Sequence, residues 1–215
     1  MKDRKINKFN LWLSLIMTII CVFTIILYCI LGSYNIIEMH KIWYLFFIGF
    51  LITAWIPVLL ELIFKLNIGK IANISYQSFL FFSILVGSIW RMYDKLACYD
   101  IIIHALSGVL IALIAYSLFA NYRKNNKLSL IWLFILVFSV AMACGGLWEI
   151  WEFVTDILLD GNSQRVNGFM GRDAVMDTML DILCDFCGGV IGATISVSIE
   201  KKYNKQTNLA LTNEN

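Results

Sequence analysis

Hydrophobic positions along this chain fall in long unbroken runs. Six of them approach 20 apolar residues, the length that crosses a bilayer as a helix: 10–32, 42–64, 74–91, 99–120, 129–155 and 174–198. Ser75, Gln77 and Ser78 dilute the start of the third. The first is too long for the apolar core of a signal peptide and lacks a small-x-small cleavage pattern, so it reads as a retained helix. Pro57 predicts a kink in the second, where neighbouring helices satisfy the carbonyl it frees. The pattern predicts an all-α integral membrane protein. About six transmembrane helices form one bundle over residues 1–200, and the polar segment 201–215 follows as a disordered cytoplasmic tail.

Composition agrees. Hydrophobic residues make up 60% of the chain, charged residues 15%, and a single proline leaves little room for linkers. Soluble domains carry roughly 25% charged residues. A net charge of +2 gives no reason to expect nucleic acid.

Positive charges predict the orientation, because cytoplasmic loops are enriched in Lys and Arg. With the N-terminus inside, the inner segments hold Lys2, Arg4, Lys5, Lys8, Lys65, Lys70, Arg123, Lys124, Lys127, Lys201, Lys202 and Lys205. The outer segments hold Lys41, Arg91, Lys95, Arg165 and Arg172. The split of twelve to five predicts both termini in the cytoplasm and a multi-pass protein of the bacterial-type cytoplasmic membrane.

That topology gathers the acids. Ten of the fifteen lie between 94 and 185, on segments the topology brings to the outer face. "YDIIIHALSG" carries Asp100 and His104, and "GGLWEIWEFVTD" carries Glu149, Glu152 and Asp156. "GRDAVMDTMLDILCDF" carries Asp173, Asp177, Asp181 and Asp185. A step of four turns a helix by about 40° beyond a full turn, so Asp100 and His104 share a face. Asp173 and Asp185 stand about 120° and about 18 Å apart, so the four aspartates cannot all serve one small site. Asp177 and Asp181 are expected to be the core pair, with Asp173 at the mouth. Asp185 is expected deeper, protonated or hydrogen-bonded to a neighbouring helix, ending the polar path. An intramembrane carboxylate costs about 3 kcal/mol on insertion scales, so the set requires a function.

A divalent cation compensates two or three carboxylates at once. One imidazole among carboxylates suits zinc, manganese, iron or magnesium better than copper. Simpler readings exist. His104 alone reads equally as a hydrogen-bonded interhelical histidine, and Asp94, Asp156 and Asp160 as interfacial acids facing water. Cys184 and Cys187 form a C-x-x-C, but beside Gly188 and Gly192 they read first as close helix packing rather than redox chemistry. Glu61 reads as an i,i+4 partner of Lys65.

The elements at Asp100, His104 and Gly108, at Glu149, Glu152 and Phe153, and at Asp177, Thr178 and Asp181 resemble the uncharacterised bacterial YjdF-like inner-membrane proteins over residues 90–195. The resemblance supports the site and implies no particular reaction.

Two functions are expected from these residues. The first is a metal-dependent membrane hydrolase or headgroup transferase acting on a lipid or lipid-linked small molecule. Its ligands would be Asp100, His104, Glu149 and Asp181, and its general base Glu152 or Asp177. Arg165 and Arg172 would hold the substrate's anionic group, and Asp173 at the mouth would also contact the substrate. The alternative is a cation or proton transporter using the descending aspartates. A non-catalytic interaction protein has no positive feature to recommend it.

Overall fold

The computed structural model describes residues 7–34, 41–64, 68–96, 98–119, 122, 128–159, 163–164 and 170–213, with backbone alone at 41–43, 45, 159, 174, 208 and 210–213. Every regular element among them is helical. Without water in the hydrocarbon, the helix is the open-chain structure that satisfies its own backbone groups. The elements are α1 (Lys8–Ser33), α2 (Lys41–Ala54), α3 (Ile56–Ile63), α4 (Lys70–Leu80) with a π-helical extension (Phe81–Ile89), and α5 (Met92–Lys95). Then follow α6 (Tyr99–Leu118), α7 (Leu130–Leu159), a single 3-10 turn (Asp173–Val175) and α8 (Met176–Asn213). Five helices are long and apolar enough to cross a membrane, and counting the bent α2–α3 pair as one span makes six.

The chain divides into two compact units, Met1–Tyr99 and Asp100–Asn215. In both, large apolar side chains face outward while polar ones are buried. Ile19, Phe23, Ile131 and Leu183 are exposed, whereas Asn10, Ser14, Gln77, His104 and Asp181 are buried. This inversion is what a lipid solvent selects.

Unit 1 packs Met17, Cys21, Phe47, Phe50, Leu80 and Leu85 into its core. Its second span breaks at Trp55 with a bend of 42° between the flanking helices. Pro57, in the first turn of α3, has no N–H to offer the carbonyl four residues back. That carbonyl, on Thr53, accepts from the Tyr76 hydroxyl at 3.0 Å. The next, on Ala54, accepts from Ser14 Oγ at 2.8 Å and Gln77 Nε2 at 2.7 Å. Side chains of α1 and α4 thus repair the ladder that proline opens. Glu61 accepts from the Asn7 N–H at 3.1 Å and from Asn10 Nδ2 at 2.6 Å. Its expected partner Lys65 lies outside the described residues.

Unit 2 is built on small residues. A Cβ on Gly188 would strike the Ala105 carbonyl of α6, and one on Gly108 would lie 2.6 Å from the Asp185 carbonyl and 2.7 Å from the Gly189 nitrogen. One on Gly192 would lie 2.7 Å from both Ala112 Cβ and the Val109 carbonyl. Absent side chains therefore set the α6–α8 spacing, as expected for Gly188 and Gly192. Ala112, Ala115, Leu133, Val137, Ala141 and Ala193 complete this core. The segment after residue 200 departs from the expected disorder: α8 continues to Asn213. The stretch "EKKYNKQTNLALTN" contains neither glycine nor proline to stop it.

Candidate metal centre

Three helices of unit 2 bring the site together. Asp100 and His104 lie on the first two turns of α6, Glu149 lies two-thirds of the way along α7, and Asp181 and Asp185 lie near the start of α8. All five are buried, with relative exposures of 8%, 5%, 5%, 1% and 1%.

His104 is the hub. Its Nε2 is 3.8 Å from Asp100 Oδ1, 3.8 Å from Glu149 Oε1 and 4.0 Å from Asp181 Oδ2. Its other nitrogen, Nδ1, is 3.1 Å from Asp185 Oδ2. A carboxylate only accepts, so this contact assigns a proton to Nδ1, and in the neutral ring that a metal requires the Nε2 lone pair faces three carboxylate oxygens. Asp185 is held in turn by Ser107, whose Oγ donates to Asp185 Oδ1 at 2.7 Å and lies 2.8 Å from the His104 carbonyl. Gly145 of α7 makes room for it: a Cβ there would occupy the position of Asp185 Oδ2.

The separations around Nε2 are too long for hydrogen bonds. They are close to what a shared ion requires. Tetrahedral ligands about 2.1 Å from a metal stand roughly 3.4 Å from one another. Asp100, His104 and Asp181 each offer one ligand atom, all within 4.8 Å of one another. Asp181 Oδ2 is buried without a hydrogen-bond partner, and the buried Glu149 carboxylate has Thr178 beside it. Buried carboxylate oxygens around an imidazole nitrogen form a donor set that a divalent cation completes, and the residues fit such an ion. The carboxylate–histidine contact behind the ring is the arrangement that orients metal-ligating histidines.

The expected ligand residues Asp100, His104, Glu149 and Asp181 are thus neighbours. The expected core pair, Asp177 and Asp181, lie close enough on α8 to interact, and Asp185 joins them: where α8 packs against α6 at Gly108 and Gly188, Asp185 reaches the imidazole. Asp185, one turn further along α8, is hydrogen-bonded to His104 and Ser107 of α6, as expected. Its signal was present in the four-residue step from Asp181. Ser107, three residues after His104, was not anticipated. Asp177 is half-buried and close enough to Asp181 to interact electrostatically. Glu152 is half-buried, near Glu149 and Asp100, and accepts from Trp148 Nε1 at 2.9 Å. Asp156 instead fastens the following loop, accepting from the Ser163 and Gln164 N–H groups at 2.8 and 3.0 Å. Arg172 and Asp173 are exposed, and Arg165 and Asp160 lie outside the described residues. The described cysteines are all free, Cys184 half-buried and Cys187 exposed.

A protein of Thermotoga maritima titled "Uncharacterized protein" is 28% identical over 152 residues, covering 68% of this chain and 70% of that relative. No solved structure matches. The sequence profile described as "Predicted membrane protein (DUF2238)" matches residues 10–202, which include all six runs and every member of the His104 cluster. This chain belongs to that family of predicted membrane proteins.

Proposed function

We propose that the His104 cluster is a divalent-metal centre of a membrane hydrolase or headgroup transferase whose substrate is a lipid or lipid-linked small molecule. The observation that carries the reading is His104 Nε2 facing three carboxylate oxygens at 3.8–4.0 Å, with Asp185 behind the ring. Asp100, His104, Glu149 and Asp181 would hold zinc, manganese, iron or magnesium. Such an ion supplies a water whose pKa falls toward 7 and a Lewis acid for a carbonyl or phosphoryl oxygen. The chain's own residues do the rest. Glu152 or Asp177, beside the ligand set, accepts the proton from the attacking water. Arg172, with Arg165, attracts the substrate's anionic group. Positive charges predict this end of unit 2 at the outer face of the cytoplasmic membrane, where a headgroup is accessible.

The transporter reading is weaker because the polar trail stops. Beyond Asp185, the hydroxyls of Thr194, Ser196 and Ser198 bond to carbonyls of their own helix at 2.7, 2.8 and 2.8 Å. These hydroxyls are neutral and give an ion no charge to follow.

The test is to incubate metal-loaded protein with vesicles of bacterial lipid extract and read the products by mass spectrometry. One lipid species should lose its headgroup with the wild type and remain intact with Asp181→Asn. No lipid change with any of the four metals, together with cation flux into proteoliposomes, would favour the transporter instead.

A further inference from the structure

A chain of hydrogen bonds leads from the end of α7 back to the candidate metal ligands. Asp156, two turns after Glu149 on α7, accepts from the N–H groups of Ser163 and Gln164 at 2.8 and 3.0 Å. These bonds hold the backbone at Gln164. The Gln164 side chain then crosses to α8, where its Nε2 donates to Thr178 Oγ1 at 3.0 Å. Thr178 is half-buried in the first turn of α8, three residues before Asp181. The Glu149 carboxylate lies beside its hydroxyl. Glu149 is itself buried, with Oε1 3.8 Å from His104 Nε2.

The Thr178 proton decides what this chain does. A hydroxyl has one proton to donate and two lone pairs with which to accept. An ionised carboxylate is a stronger acceptor than a neutral amide oxygen. With Glu149 alongside, the proton goes to the carboxylate. Only the NH2 end of Gln164 can then face Thr178 Oγ1, and that is the orientation the 3.0 Å bond has. Carboxylates that ligate a metal are ordinarily hydrogen-bonded themselves, and such partners set their orientation. Asp185 makes the corresponding contact to His104.

We infer that Thr178 is a positioning residue for Glu149: its hydroxyl bridges the carboxylate to Gln164, so that metal loading and the order of the Ser163–Gln164 backbone support each other. The inference rests on the metal-centre reading of Glu149. The test uses the full chain in detergent, first metal-free after EDTA, then titrated with zinc or manganese against a competing chelator. Hydrogen exchange of the peptide spanning Ser163 and Gln164 is followed in both states. In metal-free protein, Thr178→Val, which keeps the shape and removes the hydroxyl, should speed that exchange several-fold, and Thr178→Ser should match the wild type. Thr178→Val should also weaken metal binding about 10–100-fold, and Thr178→Ser should restore it. In a Glu149→Gln background Thr178→Val should weaken it little further, because the two residues act through one contact. Metal should slow the same exchange in the wild type, since coupling is reciprocal. If Thr178→Val does not fold, Gln164→Leu, which removes no ligand, should give the same two changes. Exchange left unchanged in metal-free Thr178→Val overturns the bridge. So does a loss of affinity that Thr178→Ser fails to restore, or that persists in full beside Glu149→Gln. A wild type that retains neither ion, while its exchange still responds to Thr178→Val, refutes the metal-centre reading and leaves the bridge standing.

Discussion

Asp185→Asn tests how the imidazole is held. In the wild type, Asp185 accepts from His104 Nδ1 at 3.1 Å and from Ser107 Oγ at 2.7 Å. Asparagine keeps one acceptor and replaces the other with an NH2 group of almost the same shape. If that group faces the ring, it asks Nδ1 to accept, and the ring proton moves to Nε2. The Nε2 lone pair that faced Asp100, Glu149 and Asp181 is then lost. If the amide turns over, Ser107 loses its acceptor and the carboxylate's charge no longer supports the ring. Removing such a partner typically weakens a metal site 10–100-fold, equivalent to about 1.4–2.8 kcal/mol. The assay is competitive chelator titration of purified protein with zinc or manganese, alongside circular dichroism to confirm the fold. Unchanged metal affinity in a folded Asp185→Asn protein would refute the role assigned to Asp185.

Other predictions follow from the packing and the topology. Gly188→Ala should lower stability by about 1–3 kcal/mol, read as a lower melting temperature in detergent, because a methyl there meets the Ala105 carbonyl. Tyr76→Phe removes the donor to Thr53, the carbonyl that Pro57 frees, and should cost about 1–3 kcal/mol in the same assay. In a background lacking the six native cysteines, Ser163→Cys should react with an impermeant thiol reagent applied outside intact cells, whereas Asn125→Cys should not. The reverse pattern would place the cluster at the cytoplasmic face.

Which features the sequence revealed depended on whether one helix or two decide them. Asp100 and His104 share a face by spacing alone, and their pairing could be read before any fold was known. The aspartates of α8 are different. Each four-residue step drifts by about 40°, so which two meet His104 depends on the crossing at Gly108 and Gly188. That crossing selected Asp181 and Asp185. The Asn73–Gln77 face was also present as a four-residue spacing, but in an apolar run it reads as dilution of a weak span. Only its contacts with α1 and the broken helix reveal it as an interior. The helical extension past residue 200 was missed because polarity alone predicted disorder.

Whether Asp100, His104, Glu149 and Asp181 hold one divalent ion can be read by elemental analysis of detergent-purified wild type and Asp181→Asn after saturation with zinc, manganese, iron or magnesium and removal of free metal. The wild type should retain about one equivalent of one of these ions and a folded Asp181→Asn protein almost none. Absence of all four from the wild type, or equal loading of the variant, would rule out a metal centre at these residues.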